Sequence, residues 1–306
     1  MAEAIAEQPE SVLLPALWAL REGDIALAIQ RLEEAQRNSA HTALLRELHQ
    51  YLGQMASGAV YGLPLGFQAF IRGGGNRALY AAAGQALADA WQASFPAEVL
   101  DIGCGDGLAI QAALAKANHL PQRFTLLEPQ AAMLGQAQLL VTASGKEVTA
   151  VCASLEELTS GAPLQSWPLA QATFALQAVP PPQRAHSLAA LASKVRELWV
   201  VEFDVPRFAD RSDAHLAYLA QRYPHGLGEY GSEASLVAQG FLMPVLVGQV
   251  LPPGVAGGSP RSTWEQPVAD WQAELTGAGF REVHSRLLYR YWWADAWLIR
   301  ARGSFT

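Results

Sequence analysis

Between Ala97 and Phe203 the chain repeats one pattern, a short and nearly continuous apolar run followed by a stretch of helical periodicity. The apolar runs are Val99–Ile102, Phe124–Leu127, Val148–Cys152, Ala172–Leu176 and Leu198–Phe203. Helical patterns lie between most of them, at Leu108–Ala117, Ala131–Val141 and Gln183–Ser193. Strands that are apolar along their whole length must be covered on both faces, and strand–helix repeats pair such strands in parallel. Right-handed crossovers then lead to an open, doubly wound α/β sheet. Ligands of such sheets gather outside the carboxyl ends of the strands, where strand order reverses. After a helix near Pro267 that ends at Ala278-Gly279, two more strands are expected, about Glu282–Tyr289 and Ala296–Ala301.

The flanks read differently. From about Glu10 to Ser57 the chain predicts helices broken at Gly23-Asp24 and Asn38-Ser39. Leu44, Leu45, Leu48, Tyr51, Leu52 and Met55 fall on one stripe. One stretch, Gly23 to Ile29, resembles a single tetratricopeptide hairpin, but stacking needs about three copies, and a small helical cap over residues 1–76 is expected instead. Arg72-Gly73-Gly74-Gly75-Asn76 lacks the lysine of a phosphate-binding P-loop and reads as a hinge or helix start before a helix from about Arg77 to Trp91. The remainder, 77–306, is expected to be one Rossmann-like domain. Its regular pattern stops after Asp204, and residues 205–262 show one helical stretch, Asp213–Arg222, then Gly- and Pro-rich connections and an apolar run, Phe241–Leu251. That interval is too long for a plain loop, so it predicts a second piece of cap.

Composition narrows the function classes. Hydrophobic residues make up 51% of the chain and charged residues 16%, which suits a large core and excludes a disordered protein. With a net charge of −7 and no basic run, the chain lacks the electrostatic footprint of a nucleic-acid or anionic-membrane binder. No nucleic acid and no membrane are expected as partners; a small-molecule substrate is, and a homodimer stays open. Two cysteines, Cys104 and Cys152, fit a reduced compartment. MAEAIAEQPE lacks the basic n-region of a signal peptide, and no run reaches the roughly 20 apolar residues of a membrane helix. The expected location is cytoplasmic. No His/Cys/Asp cluster has metal-ligand spacing, so no metal is expected.

The chemistry concentrates where the first strand runs into Gly103-Cys104-Gly105-Asp106-Gly107 and then a helix. Glycines let the backbone turn sharply and approach a ligand with no Cβ in the way, and the helix start beyond offers unpaired N–H groups. An acidic residue, Glu128, ends the next strand. Strand, glycine loop, helix and a following acidic strand end together mark a Rossmann-like nucleoside site, where the carboxylate accepts from ribose hydroxyls.

Val99-Leu100-Asp101-Ile102-Gly103-Cys104-Gly105-Asp106-Gly107 resembles motif I of class I S-adenosylmethionine-dependent methyltransferases, and Leu126-Leu127-Glu128-Pro129 resembles the end of their second strand. The resemblance spans about Ala97 to Phe203 and resumes after Gly279-Phe280. It implies a seven-stranded sheet, mostly parallel with an antiparallel last strand, and S-adenosylmethionine as cofactor. It places Asp101, Gly103 and Gly105 around the methionine part, Glu128 on the ribose, and Pro129 and Met133 near the adenine. Residue 108 is Leu where dinucleotide enzymes usually place the third glycine of Gly-x-Gly-x-x-Gly. The chain departs from the family at three places. Ala153-Ser154-Leu155-Glu156 lacks an early acidic residue, leaving Ser154 or the Leu155 backbone to meet the adenine. Gln171 stands where an Asp often opens strand four. Ala175 to Pro182, including Gln177, lacks a nearby His.

Further candidates come with plainer alternatives. Tyr61, Phe67, Phe70 and Tyr80 sit where related enzymes close a lid, though aromatics at such spacing also build cores. Arg72 is a partner for the methionine carboxylate or for a surface acid. Glu202 and Asp204 end strand five, where an acceptor would lie. In the insertion, His225, Glu229 and Tyr230 cluster, with His225 the leading candidate base. Cys104 reads as a small residue filling the loop rather than a nucleophile. Methylation of a small biosynthetic metabolite is the leading expectation. A second is intramolecular cyclisation of the cofactor with release of methylthioadenosine, as in azetidine-2-carboxylate synthases. A third is a cofactor-binding sensor or interaction module.

Overall fold

The structure is a computed structural model that describes residues 9–38, 42–56, 64–161, 164–258 and 261–305. Along the chain come α1 (Pro9–Arg21), α2 (Ile25–Asn38), α3 (Ala43–Ala56), α4 (Pro64–Arg72) and α5 (Asn76–Ser94). Next are β1 (Glu98–Ile102), α6 (Leu108–Leu114), β2 (Arg123–Leu127), α7 (Ala131–Ala143), β3 (Glu147–Val151) and α8 (Leu155–Ser160). They are followed by β4 (Trp167–Thr173), α9 (Pro181–Ala192), β5 (Val195–Phe203) and α10 (Asp213–Gly228). The chain closes with α11 (Ala234–Val237), α12 (Met243–Val250), α13 (Val268–Gly277), β6 (Arg281–Tyr289) and β7 (Ala296–Arg302). Two compact units emerge, each made from two stretches: Met1–Arg77 with Phe208–Ser262, and Ala78–Arg207 with Thr263–Thr306.

The second unit holds one seven-stranded sheet of order β3-β2-β1-β4-β5-β7-β6. β1 to β5 pair in parallel, and β7 runs antiparallel to both β5 and β6. The expected mostly parallel sheet with an antiparallel last strand is therefore what forms. Its two faces bury separate clusters. Leu100, Ile102, Leu198 and Val200 pack with Leu188, Leu191 and Trp271 on one face. On the other, Val99, Phe124, Trp199 and Val201 pack with Trp91, Ile110 and Ala137. Alternate residues of each strand thus face opposite helix layers, the reason these strands read as continuous apolar runs.

Three element assignments differ from the sequence-based expectation. β4 begins at Trp167 and ends at Thr173, so Leu176 lies beyond it in a short 3₁₀ turn, Leu176–Ala178. The polar Gln171 masked this strand, yet it is fully buried. α8 was not anticipated; Ser154 and Glu157 start it with a reciprocal capping box that satisfies two backbone donors of the first turn.

The third difference lies in the insertion, which is more helical than its glycines and prolines suggest. α10 continues through Pro224 to Gly228. A 3₁₀ turn, α11, a π-helical turn at Ala238–Leu242 and α12 then follow almost without a break. Gly231–Val250 makes a run of 20 residues long and apolar enough to cross a membrane by length and composition, although no such stretch was evident from sequence. Val237, Ala238, Leu242, Met243, Leu246, Val247 and Val250 are buried in its own unit, as expected of a core helix.

Candidate active site

Strand order reverses between β1 and β4, because the chain winds outward from β1 through β2 to β3 and then returns to the other side. At that switch point β1 delivers Gly103 and Gly105 with φ of +63° and +56°, left-handed values that ordinary residues resist. A Cβ on Gly103 would stand 2.5 Å from the Ala175 Cβ beyond β4, whereas one on Gly105 would meet nothing within 4 Å. Gly103 therefore lets two segments close up, and Gly105 faces open space. Gly103→Ala is expected to destabilise the fold by about 2–4 kcal/mol, from the backbone penalty plus overpacking. Gly105→Ala should cost only about 1–2 kcal/mol but place a methyl in the open space. Thermal unfolding with S-adenosylhomocysteine titration separates the two effects. Equal stability losses and unimpaired binding by Gly105→Ala would contradict this assignment.

Two buried carboxylates flank the loop. Glu128, at the end of β2, accepts from the Gly105 N–H through Oε2 (3.1 Å) and from the Gln130 N–H through Oε1 (3.0 Å). It thereby ties the loop to the second strand. Asp101 is 3% exposed and accepts from Gln171 Nε2 at 3.1 Å. Burial pushes its carboxyl up to about 7, against the opposing pull of the Gln171 amide. Burial likewise raises the Cys104 thiol far above its ordinary range, and Asp101, Glu128 and Asp106 add to that. A thiol so held is not a nucleophile at neutral pH.

Beyond β4, Phe174 adopts φ of +53°, an unusual conformation for a bulky residue. Its N–H bonds the Val201 carbonyl, and its ring stacks on Phe203 at 4.5 Å and meets Tyr80 edge-on at 5.9 Å. The 3₁₀ turn that follows is held from both sides. Glu202 Oε1 accepts from the Gln177 N–H (3.1 Å), and the Gln177 carbonyl accepts from the Trp264 N–H (2.7 Å). Arg184, completely buried on α9, donates to the Leu176, Val179 and Trp264 carbonyls and pairs with both Glu274 oxygens at 2.9 and 3.1 Å. Burial pushes Glu202 up to about 8, and among the described residues its Oε2 makes no hydrogen bond within the usual geometry. Asp204 has a different task, accepting from the Val268 N–H at the start of α13.

Sequence candidates thus separate by unit. Asp101, Gly103, Gly105, Glu128, Pro129, Met133, Ser154, Leu155, Gln177 and Tyr80 belong to the sheet unit, the first four within one hydrogen-bonded loop region. Met133 is half-buried on α7 and Pro129 is exposed. The Ser154 hydroxyl accepts from the Glu157 N–H as a helix cap (3.1 Å), and the Leu155 side chain is core. Arg72, His225, Glu229 and Tyr230 belong to the helical unit, and Tyr61 lies outside the described residues.

His225 is exposed in the last turn of α10 rather than in a loop. Glu229 Oε2 accepts from the Gly75 N–H at 2.8 Å, and the Tyr230 ring covers Gly73 and Gly74. The Tyr230 hydroxyl bonds Asn76 Nδ2 and the Phe70 carbonyl. Glu229 and Tyr230 therefore brace the triple-glycine turn, a structural task that sequence spacing did not reveal. Trp91 and Arg184 were also missed, and Gln171 was noted only as a departure at strand four, without its partners. Each acts through a partner 80 to 90 residues away, and no local pattern announces such a pairing.

Residues 99–197 match the sequence family described as a methyltransferase domain. No curated protein sequence matches the chain. Among solved structures it is similar to the mitomycin 7-O-methyltransferase MmcR, at 17% identity and a TM-score of 0.45, covering 96% of this chain and 74% of that one. It is also similar to the magnesium protoporphyrin IX methyltransferase ChlM of Synechocystis PCC 6803, at 15% identity and a TM-score of 0.44, covering 94% and 99%. A third, the S-adenosylmethionine-dependent methyltransferase SibL, shows 16% identity and a TM-score of 0.46, covering 98% and 71%. The stretch that builds the glycine loop and the middle of the sheet is thus the part of the chain that resembles a methyltransferase domain.

Proposed function

We propose that the chain transfers the methyl group of S-adenosylmethionine to a small biosynthetic metabolite. The observation that carries this is the switch-point loop: open space over Gly105, with Asp101 and Glu128 as buried carboxylates on either side. That set suits a nucleoside bearing a cationic amino-acid arm. Glu128 would accept from the ribose hydroxyls, Asp101 would face the amino-acid part, and Pro129, Met133 and the Leu155 N–H would border the adenine. When bound, the cofactor supplies a sulfonium-activated methyl group.

The chain's own contribution is then orientation and exclusion of water. Phe174, Phe203 and Tyr291 stack successively at 4.5 and 5.6 Å, an apolar wall beside the ends of β4 and β5. A wall of this kind desolvates an acceptor without abstracting a proton. An acceptor that is already nucleophilic, such as an enolate or carboxylate, needs no strong base, and Glu229 and Tyr230 are occupied as braces. A net charge of −7 without a basic run favours a small acceptor over a nucleic acid.

The experiment is incubation of purified protein with labelled S-adenosylmethionine and candidate acceptors, identifying the nucleoside product. S-adenosylhomocysteine, formed only with acceptor, is expected. Methylthioadenosine formed without any acceptor would replace methyl transfer by intramolecular cyclisation. Binding without turnover across a broad acceptor panel would leave a sensor.

A further inference from the structure

Trp91 on α5, Gln171 on β4 and Asp101 on β1 form a short chain of hydrogen bonds inside the sheet unit. Trp91 Nε1 donates to Gln171 Oε1 at 3.0 Å, and Gln171 Nε2 donates to Asp101 Oδ2 at 3.1 Å. Gln171 is fully buried, Trp91 likewise, and Asp101 sits opposite Gln171 in the β1–β4 ladder. The indole N–H can only donate. It therefore forces the amide oxygen of Gln171 toward α5 and leaves the amide NH₂ no choice but to face Asp101. Without the indole, either flip of the amide would be available.

We infer that Gln171, oriented by Trp91, is a positioning residue that fixes Asp101 as a charged hydrogen-bond acceptor for the ammonium group of the cofactor's amino-acid arm. This rests on the proposed cofactor site. A carboxylate buried at the next-to-last position of a central strand has little reason to stay ionised unless a donor holds it and a cation visits it. Gln171 supplies the first and the ligand the second. Among the described residues, the surrounding elements place no substitute cation beside it. β4 and α6 carry no charged residue, α5 carries Arg77 and Asp89, both exposed, and β2 carries only Arg123, exposed at the far end of the strand and paired with Glu98. The other titratable groups around the loop are Tyr80, Cys104, Asp106 and Glu128, none of which becomes positive.

The consequence is a pH dependence of ligand affinity with a defined sign. The ammonium favours ionised Asp101, so affinity falls as that carboxyl takes up a proton, and Asp101 titrates near neutrality because burial outweighs its amide partner. Losing the amide donor moves the titration upward. A hydrogen bond to a charged group is worth about 1.5–3 kcal/mol, so the midpoint should rise by about one pH unit or more.

The test is calorimetric titration of the full chain with S-adenosylhomocysteine from about pH 5.5 to about pH 8.5, a range that brackets a carboxyl titrating near neutrality. Methylthioadenosine, which lacks the amino-acid arm, serves as control. In the wild type, S-adenosylhomocysteine should weaken by about tenfold per pH unit below the midpoint, with methylthioadenosine unaffected. Gln171→Leu should raise the midpoint and weaken S-adenosylhomocysteine by about tenfold or more at slightly acid pH. Trp91→Phe, which keeps the ring and frees the amide to flip, should shift it in the same direction by less. It carries the test if Gln171→Leu does not fold. A wild-type affinity that is flat with pH, or a midpoint that both folded variants leave unmoved, would overturn the relay while leaving the cofactor site intact. Absence of S-adenosylhomocysteine binding at every pH would instead remove the proposed function itself.

Discussion

Arg184→Met is expected to lower the unfolding free energy by about 3–5 kcal/mol, the usual cost of removing one partner from a buried ion pair. The guanidinium is inaccessible to water and stands 4.3 Å above the Trp271 ring, with Glu274 on one side and three carbonyls on another. Removing it strands the Glu274 carboxylate, left with the Gln266 amide at 2.7 Å, and takes the donor from the Leu176, Val179 and Trp264 carbonyls. The expected loss is therefore dominated by what is left behind rather than by what the pair contributed. Arg184→Met combined with Glu274→Met should recover much of it, because replacing both charges by apolar groups is often near neutral. Urea unfolding midpoints of the two single variants and the double variant measure this directly. Additive losses would show that the pair is not coupled.

The second large effect depends on pH. Burial holds Glu202 up to about 8, while an unfolded glutamate titrates near about 4.3. For an acid raised on folding, the native state binds the proton more tightly. The associated stability is fully present below the unfolded value and is lost as pH rises through about 8. The loss amounts to roughly 5 kcal/mol at most. Glu202→Gln keeps an oxygen to accept from the Gln177 N–H and removes the titration. Relative to wild type, this variant should gain stability progressively from about pH 4 to about pH 8 and then hold that gain. Chemical unfolding at about pH 5 and about pH 9, either side of that window, provides the check. An identical difference at both pH values would mean that Glu202 does not change its charge in this range. Arg184 pulls Glu202 downward, so Arg184→Met should widen the same window.

What the sequence made legible was local. β1 runs straight into its glycine loop, β2 follows one helix later, and the alternation of apolar run and helix needs no distant partner to be recognised. β4 was misplaced because Gln171 looks like a surface residue until Trp91 and Asp101, 80 and 70 positions away, are brought beside it. The insertion was read as broken because Pro224 and the nearby glycines are local helix breakers. Burial of Leu216, Leu219, Tyr223 and Leu227 along α10 overrides that weak preference. Glu229 and Tyr230 illustrate the opposite error. A concentration of reactive side chains suggested chemistry, and packing against Gly73 to Gly75 gave them a supporting role.

Both units are stitched from early and late chain, and this sets an order of events during synthesis. α1, α2 and α3 leave the ribosome well before α10 and α12, against which α1 and α3 pack. At about 5–20 residues per second, their apolar faces wait on the order of ten seconds for the segment that covers them. β5 waits as well, since its outer neighbour in the sheet is β7, made last of all the strands. Until Ala296 to Arg302 arrive, β5 presents an unpaired backbone edge of the sort that recruits other strands. The nascent chain thus exposes unpaired or uncovered surface at two places at once, and the pairing of β7 with β5 closes the second of them.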